Sequence, residues 1–285
     1  MTELYSPARR RAEVQRRLLR WYERSARDLP WRRTRDPYAV LVSEVMLQQT
    51  QVARVIPAYT SFLERFPTLR ALATASLGDV LRVWGGLGYP RRARDLRRAA
   101  QLSGDALPAD RAGLDALPGI GRYTAGAVAC FAHDQPLAFA DTNIARVLGR
   151  VVLGAPTDPR AGEALDAALL PPADGARWHH ALMDLGATVC LARAPRCVEC
   201  PLRSLCLAYT RGTIAPPVPR RQAAFATSDR RVRGRILALL READGGRTVA
   251  SLRSAVGDTR VPRLVDALVA EGLASRTGRR VGLPG

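Results

Sequence analysis

Apolar residues recur at helical spacing along most of this chain. The clearest runs lie at about residues 12–27, 36–52, 56–66, 77–84 and 91–100. Side chains three and four positions apart share one helix face. Asp36 followed by Pro37 is typical of a helix N-terminus, and we expect that helix to continue to about Val52. No strand pattern is convincing before residue 270, so the sequence predicts a mainly α-helical protein.

Residues 114–152 contain a turn followed by two predicted helices. The turn is Leu117-Pro118-Gly119-Ile120-Gly121, in which Gly119 and Gly121 allow close backbone approach. The small-residue run from Thr124 predicts a helix whose first N–H groups favour an anion. An ordinary turn between helices would have the same features, so this motif needs support from the rest of the chain.

Asp141 precedes a second predicted helix, because Ile144, Val147 and Leu148 follow it at helical spacing. It is therefore expected at or near the helix N-cap. The helix dipole and the first amide N–H groups stabilise a carboxylate there. The alternative is a residue that only caps its helix.

Glu44 lies on the predicted helix 36–52 among apolar residues that include Leu41 and Leu47. An apolar setting favours the protonated form of a carboxyl group. A solvated glutamate on a helix face is the alternative. The polar run that begins at Gln48 and Gln49 suits an edge that contacts nucleic-acid bases.

The composition indicates what kind of partner this helical chain binds. Its 285 residues are 47% hydrophobic, and its formal net charge of +18 and pI of about 11.2 point to a polyanion. Lysine is absent, so all 44 basic residues are arginines. Because no side-chain amine can form a Schiff base, lyase chemistry that uses a lysine is excluded.

The glycine-rich segment 85–90 interrupts the helical pattern. Tyr89 lies in it beside Arg91 and Arg92. Such a ring could stack on a base, and it could equally pack against its own loop.

Four cysteines, Cys190, Cys197, Cys200 and Cys206, follow the spacing Cys-x6-Cys-x2-Cys-x5-Cys. Four thiolates in this short segment can enclose one metal centre. Zinc sites commonly pair two Cys-x2-Cys arms, and this pattern has one, so a 4Fe–4S cluster is favoured with zinc as the alternative. Cys130, in an apolar run, is expected to be a small core residue.

The chain has no run of about 18 apolar residues and no apolar secretion signal near residue 1. The odd cysteine count argues against a disulfide framework. We expect a cytoplasmic, nucleoid-associated monomer without membrane partners.

Residues 211–228 are predicted to form a Pro-rich linker, and residues 229–285 are predicted to form a separate small unit. Three short apolar patterns are followed by a predicted hairpin over Leu273–Leu283. Three helices and a hairpin resemble a winged helix. From residue 220 on, 14 arginines against 6 acidic residues give a net charge of +8 (14 − 6), which favours a DNA contact.

Six motifs jointly resemble the MutY-type adenine DNA glycosylases of the helix-hairpin-helix superfamily, which also holds the endonuclease III type. They are LPWR (29–32), SEVMLQQTQV (43–52), WGGLGYPRRA (84–93), LPGIGRYTAG (117–126), ADTNIARV (140–147) and the four-cysteine loop. The resemblance covers roughly residues 10–210. It implies a two-domain helix-hairpin-helix DNA glycosylase fold with a 4Fe–4S cluster and DNA bound between the domains. Residues 1–36 and 147–210 would form the cluster domain, and residues 37–146 a six-helix barrel.

The resemblance implies removal of adenine mispaired with guanine or 8-oxoguanine in double-stranded DNA, after the base is flipped from the stack. Glu44 would protonate the adenine ring. Asp141 would stabilise the oxocarbenium-like sugar, with Tyr123 and Asn143 supporting that centre. Two carboxyl groups in different environments suit glycosidic cleavage.

The resemblance also implies a DNA-contacting set. Trp31 and Arg32 would line the base pocket, while Gln49 and Tyr89 would wedge the duplex. The full expected set is Gln48, Gln49, Tyr89, Arg92, Gly119, Gly121, Trp31 and Arg32.

Two departures from the family pattern stand out. Typical family members carry a larger, Nudix-like C-terminal domain that reads 8-oxoguanine, whereas the tail here is short and helical. His180 stands where a pocket-lining Glu or Gln is common. Tyr123 stands where endonuclease III-type relatives have a lysine. The alternatives are a thymine or uracil mismatch glycosylase of the same superfamily and a non-enzymatic iron–sulfur DNA-binding regulator.

Overall fold

The described part of the protein is mainly α-helical, as the sequence predicts. The structure is a computed structural model that describes residues 7–214 and 225–285; residues 1–6, and residues 215–224 of the predicted linker, lie outside the described residues. The helices are α1 (Pro7–Ser25), α2 (Pro37–Leu47), α3 (Val52–Arg65), α4 (Leu69–Thr74), α5 (Leu77–Trp84), α6 (Arg91–Ser103), α7 (Arg111–Asp115), α8 (Arg122–His133), α9 (Thr142–Leu148), α10 (Pro159–Leu169), α11 (Gly175–Thr188), α12 (Leu207–Thr210), α13 (Asp229–Arg241), α14 (Val249–Val256) and α15 (Val261–Ala270). Short 3-10 turns lie at Pro30–Arg32, Gly85–Leu87, Cys197–Glu199, Arg203–Leu205 and Phe225–Thr227, and a π-helical turn follows α9 at Gly149–Leu153.

Local sequence sets several of the helix starts. Thr68 and Ser76 cap α4 and α5, because their side-chain oxygens accept from backbone N–H groups in the first turn at 3.1 and 3.0 Å. Asp158 caps α10 in the same way, and Pro159 follows it at the first helical position. Asp36 accepts from the N–H of Tyr38 at 3.1 Å, so the predicted start of α2 is confirmed.

The end of α2 differs from the prediction. The helix stops at Leu47 rather than continuing to about Val52. Gln49 adopts a left-handed backbone with φ of 55°. The side chain of Arg92 donates hydrogen bonds to the carbonyl oxygens of Val45 and Met46 at 2.8 and 2.9 Å. A partner 46 residues along the chain therefore ends the helix, and no local signal predicts it.

A small antiparallel sheet corrects the expectation that no strand precedes residue 270. Its strands are β1 (Arg247–Thr248), β2 (Ser275–Thr277) and β3 (Arg280–Gly282), in the order β1-β3-β2. Thr248 pairs with Arg280, and Arg276 pairs with Val281. The predicted hairpin is present as β2 and β3, whereas a two-residue strand is too short to give a period-two pattern.

Inter-residue contacts divide the described residues into two compact units. The first holds residues 7–40, 109–115 and 121–214, and the second holds 41–108, 116–120 and 225–285. Residues 121–146, which the sequence assigns to the barrel, thus cluster with the first unit. The predicted domain boundaries stay a prediction.

The core of the first unit lies around α9, which packs against α10 and α11, while α11 also packs against α1. Ile144 and Leu148 of α9, Trp178 and Leu182 of α11, and Leu18 of α1 are fully buried. Gly162 of α10 lets two helices approach closely, because a Cβ there would lie 2.6 Å from the Cβ of Ala145.

The second unit has two groups of helices. In α3–α6, Phe62 contacts Phe66 and Trp84 edge-on, with ring centroids 5.1 and 6.1 Å apart. In the C-terminal part, α13, α14 and α15 pack together around buried leucines that include Leu240 and Leu264. The N–H of Gly78 in α5 donates to the carbonyl of Pro284 at 2.7 Å, so the two groups are joined.

Across the described residues, no helix combines the length and the apolar character that crossing a membrane requires.

Substitution of two helical glycines should have opposite effects on stability. Gly162→Ala should lower the free energy of unfolding by about 1–3 kcal/mol, because the added methyl group overpacks the contact with α9. Gly234→Ala in α13 should raise it by about 0.5–1 kcal/mol, because a Cβ there meets nothing within 4 Å and alanine favours the helix. Thermal unfolding followed by circular dichroism measures both. Equal melting temperatures for the two variants would contradict the close approach of α9 and α10.

Candidate active site

Asp141 is the N-cap of α9, as the sequence predicts. Its Oδ1 accepts from the backbone N–H groups of Asn143 and Ile144 at 2.9 and 2.7 Å. Its Oδ2 accepts from the Asn143 side-chain amide at 2.8 Å. Three N–H donors therefore stabilise the negative charge and fix the direction of the carboxylate.

A fully buried carboxylate, Asp166 of α10, holds the segment that leads to Asp141. Its Oδ1 accepts from the indole N–H of Trp178 at 2.7 Å. Its Oδ2 accepts from the backbone N–H of Phe139 at 3.1 Å and lies 2.7 Å from Nε2 of His179. A buried carboxylate without partners is costly, so this network favours one arrangement of its members.

The ring of Phe139 is fixed from two sides. It stacks on His179 with centroids 3.8 Å apart, and it meets Tyr123 edge-on at 5.6 Å. Nδ1 of His179 also lies 2.7 Å from the carbonyl oxygen of Gly175. Sequence reasoning missed Asp166 and His179, because their partners lie on other elements. The available signal was an aspartate on the apolar face of α10.

Asn143 connects Asp141 with the rest of α9 and with α11. While its amide donates to Asp141, its Oδ1 accepts from Arg146 at 2.8 Å. Arg146 also donates to the carbonyl oxygens of Gly186 and Cys190 at 2.7 and 2.9 Å. Asn143 thus helps to orient the carboxylate.

The expected pocket residues Trp31 and Arg32 lie in a 3-10 turn of the first unit. Trp31 is buried, and Arg32 donates through both terminal nitrogens to Asp184 at 2.8 and 2.7 Å. Asp184 also accepts from Arg27 at 2.6 Å. Burial alone would raise the pKa of Asp184, but the hydrogen bond and charge of Arg32 outweigh it and leave the pKa below its usual value.

His180 stacks on Phe131 with ring centroids 4.2 Å apart. Burial lowers the pKa of His180 to about 3, and the charge of Arg32 adds to this effect. The imidazole is therefore neutral at neutral pH, so a hydrogen bond from this ring would not carry a charge.

Glu44 lies in α2, within the second unit, whereas Asp141 belongs to the first. Only 6% of Glu44 is exposed, and Leu41, Val42 and Ser43 before it are also buried. Glu44 is thus buried, and the alternative of a solvated glutamate on a helix face does not hold.

Gln49 and Tyr89 share an unusual backbone conformation. Their φ angles are 55° and 48°, which is rare for residues with a side chain and is often found at functional sites. Gln48, Gln49 and Tyr89 all line one cleft of the second unit. The structure therefore brings together the three polar and aromatic residues that the sequence assigns to DNA contact.

Arg92 is hydrogen-bonded to several protein oxygens, and its predicted DNA contact stays a prediction. Its NH1 donates to the carbonyl of Gln48 at 2.6 Å, and its NH2 donates to Oγ1 of Thr50 and the carbonyl of Gly88, both at 3.1 Å. Burial lowers its pKa to about 10. Because both terminal nitrogens bind protein oxygens, we assign Arg92 to holding the turn at Gln49 and the loop at Tyr89.

The glycine turn lies between α7 and α8. Gly119 has φ of 75°, and a Cβ there would lie 2.8 Å from the Cβ of Asp95, so only glycine fits. Gly121 is the N-cap of α8 and offers no side chain to its first N–H groups. A Cβ at Gly121 would meet nothing within 4 Å, which leaves room in front of the helix for a ligand.

All four cysteines of the spaced motif line one cavity of the first unit, together with Arg150 and Arg203. Burial raises the pKa of Cys200 to about 12, with the charges of the other thiols adding to it. In the described part of the chain, no three His, Cys, Asp or Glu side chains are grouped closely enough to hold a metal ion. Cys130, in contrast, is buried in α8, as predicted.

Comparison with known proteins defines the class. Residues 42–171 match the model of the HhH-GPD superfamily base excision DNA repair proteins. A thermostable thymine-DNA glycosylase of known structure is similar with a TM-score of 0.65 and 27% identity, over 72% of this chain and 98% of that one. The fold and the glycine turn are thus those of a helix-hairpin-helix DNA glycosylase.

Two curated relatives narrow the class to a family. The adenine DNA glycosylase of Mycobacterium tuberculosis (strain CDC 1551 / Oshkosh) is 46% identical over 282 residues, which cover 94% of this chain and 92% of the relative. That of Mycolicibacterium smegmatis is 46% identical over 91% of this chain and 92% of its own length. The chain belongs to the MutY-type adenine DNA glycosylase family, as the sequence motifs predict.

Removal of the buried carboxylate should loosen the support of Asp141. Asp166→Asn should lower the free energy of unfolding by about 2–4 kcal/mol, because an amide presents N–H groups where Trp178, His179 and Phe139 need acceptors. Asp174→Asn is the control, since its ion pair with Arg177 is solvent-exposed and weak. Denaturant unfolding measures the difference. Equal stability of both variants would contradict a structural role for Asp166.

Proposed function

We propose that this protein is a base-excision-repair enzyme that removes adenine mispaired with guanine or 8-oxoguanine by hydrolysing the N-glycosidic bond. The observation that carries the proposal is a buried Glu44 on α2 together with an Asp141 whose carboxylate accepts three hydrogen bonds. Near full-length similarity to adenine DNA glycosylases supports it. Identity to the thymine-DNA glycosylase is lower, at 27%, so thymine is the less favoured substrate.

The two carboxyl groups have opposite tasks in this proposal. Glu44, on an apolar part of its helix, supplies a proton to a ring nitrogen of adenine, so the base leaves neutral. Asp141 keeps its negative charge and stabilises the positive charge that develops on the sugar. Water adds to the sugar carbon and gives one proton back to the Glu44 carboxylate, and the products are free adenine and an abasic site. One acid must be protonated while the other stays ionised, so the two carboxyl groups need different environments.

The target base must leave the duplex to reach these groups. Trp31 and His180 would contact the flipped adenine, and Gln49 with Tyr89 would fill the space in the stack. Without any lysine, the enzyme does not form a Schiff base through a side chain, so strand cleavage by that route is not expected. The enzyme is thus expected to be monofunctional.

The cysteine cavity suits a 4Fe–4S cluster held by Cys190, Cys197, Cys200 and Cys206. Two observations support this choice: the donors are four soft thiols, and Nε of buried Arg150 has no hydrogen-bond partner among the described residues, so an acceptor in the cavity would satisfy it. The cluster would cross-link the loop through four iron–sulfur bonds. No bond of the substrate is made or broken there.

The C-terminal part of the second unit, with three helices and a three-stranded sheet, is a winged-helix-like DNA contact in this proposal. Its charge supports that role, since arginines outnumber acids by 14 to 6 from residue 220 on. The expected partner is double-stranded DNA with a mispaired or damaged base, bound by a monomer.

Glu44→Gln should reduce adenine release from A:G and A:8-oxoguanine duplexes by about 100-fold or more, because glutamine cannot donate the proton. Single-turnover assays that detect abasic sites measure this rate. Glu64→Gln is the matched control, since Glu64 is exposed on α3. Full activity of Glu44→Gln would remove Glu44 from its role. T:G and U:G duplexes in the same panel test the alternative substrates.

Cys197→Ala should lose the broad visible absorption of an iron–sulfur cluster and most of its protein-bound iron, expected at about four per chain in the unaltered protein. Cys130→Ala should keep both, because Cys130 lies in the core of α8 and not in the cavity. Absorption spectra and metal analysis of the purified variants give the answer. A colourless unaltered protein with one zinc per chain would overturn the cluster.

A further inference from the structure

The second unit contains a large open cleft with two different walls. Its volume is about 1000 Å³, the upper end of the range for small-molecule sites. One wall is the turn at Gln48 and Gln49 with the loop Gly85–Pro90. The other wall is α13 of the C-terminal part, including Arg230, Arg231 and Gly234.

The charge of this cleft is strongly positive. Eight arginines line it, and Glu271 is the one acidic side chain that the described residues place there. Glu271 is already shared by Arg91 and Arg233, at 2.9 and 2.5 Å, and their hydrogen bonds and charges hold its pKa at about 2. Eight arginines against one acidic side chain give the lining of the cleft a positive net charge, so a polyanion is the fitting ligand.

Two aromatic rings lie among these arginines. Tyr89 is 37% exposed and Phe225 is 59% exposed. The guanidinium of Arg230 stands 5.8 Å from the Tyr89 ring and 5.5 Å from the Phe225 ring, and it donates to the Tyr89 hydroxyl at 2.7 Å. Arginines that alternate with exposed rings are typical of surfaces that bind unpaired nucleotides.

Both walls of the cleft contain glycines, which have no side chain that could occupy the open space. A Cβ at Gly85, Gly88 or Gly234 would meet nothing within 4 Å. Gly234 is unfavourable for α13, since a glycine inside a helix costs about 0.5–1 kcal/mol relative to alanine. Its position on an exposed helix face that lines the cleft gives a ligand backbone close access to the helix.

We propose that this cleft binds an unpaired stretch of the DNA strand, with α13 as its second wall. Phosphates contact the arginines of α13, and bases stack on Tyr89 and Phe225. The inference deepens the proposed function, on which it rests for the source of the unpaired nucleotides, because base flipping leaves nucleotides without partners. It assigns DNA binding to α13 rather than to the hairpin β2–β3.

The ligand chemistry favours an unpaired strand over a duplex or an acidic peptide. A duplex hides the faces of its bases, so the exposed rings of Tyr89 and Phe225 would have nothing to stack on. An acidic peptide would use the arginines but not the rings. Both are outcomes that the following experiment can detect.

Three substitutions at Gly234 test the charge of the cleft without removing a native side chain. Gly234→Arg, Gly234→Gln and Gly234→Glu all favour the helix and have open space. The probe is fluorescein-labelled single-stranded oligo-dT, which lacks adenine and so offers no substrate. At about 50 mM salt, affinity should fall in the order Arg, Gln, Glu, by about ten-fold overall, and the difference should shrink as salt increases.

Ser254→Glu is the matched control, because Ser254 is exposed on α14 and lies outside the cleft. It should leave oligo-dT affinity unchanged. Equal binding by the three Gly234 variants, or an equal loss in Ser254→Glu, would overturn the site. Equal competition by poly-glutamate, or failure of the unaltered protein to bind oligo-dT, would overturn it as well.

Phe225→Ala tests the stacking separately. It should weaken oligo-dT binding about five-fold or more without changing the salt dependence, because no charge is removed. Unchanged affinity would overturn stacking on this ring. Adenine release is scored in separate duplex assays, so loss of the proposed activity and loss of the cleft are independent results.

Discussion

The buried carboxylate of Asp166 is the interaction on which the candidate site depends. It accepts from an indole, an imidazole and a backbone N–H of three different residues, and so joins α10, α11 and the segment before α9. Phe139, whose backbone N–H donates to Asp166, lies two residues before Asp141. Movement of the segment before Asp141 would break the hydrogen bond from Phe139 to this buried carboxyl group, and the loss of a partner at a buried polar group costs free energy. The site therefore gains precision from a residue that takes no part in the chemistry.

Helix α9 and the turn after it connect Asp141 to the cysteine loop through hydrogen bonds. It begins at Asp141, and one turn later Arg146 binds both Asn143 and the carbonyl of Cys190. Arg150, in the following π-helical turn, donates to the carbonyl of Leu191 at 2.8 Å. The cysteine loop and Asp141 are thus connected through one short helical element. A structural cluster would contribute to catalysis through this element, even though it lies outside the reaction.

Features with local causes could be predicted from the sequence. The cap at Asp141, the glycine at Gly119 and the burial of Glu44 follow from neighbours within a few residues. The end of α2 and the role of Arg92 could not, because the partners lie 42 to 47 residues apart and meet only in the folded chain. The same holds for Asp166 and His179. Strand β1 was missed because two residues carry no periodicity, and its partner β3 lies more than 30 residues away.

The left-handed backbone at Gln49 and Tyr89 has a consequence for how this protein could be altered. Each side chain costs free energy where glycine would cost little, and such conformations persist because the surroundings hold them. Glycine at Gln49, an exposed position, would relieve this cost and would remove a group that lines the cleft, whereas glycine at Tyr89 would also remove the hydroxyl that accepts from Arg230. Selection for thermal resistance alone would therefore favour loss of the Gln49 side chain and would change the lining of the cleft.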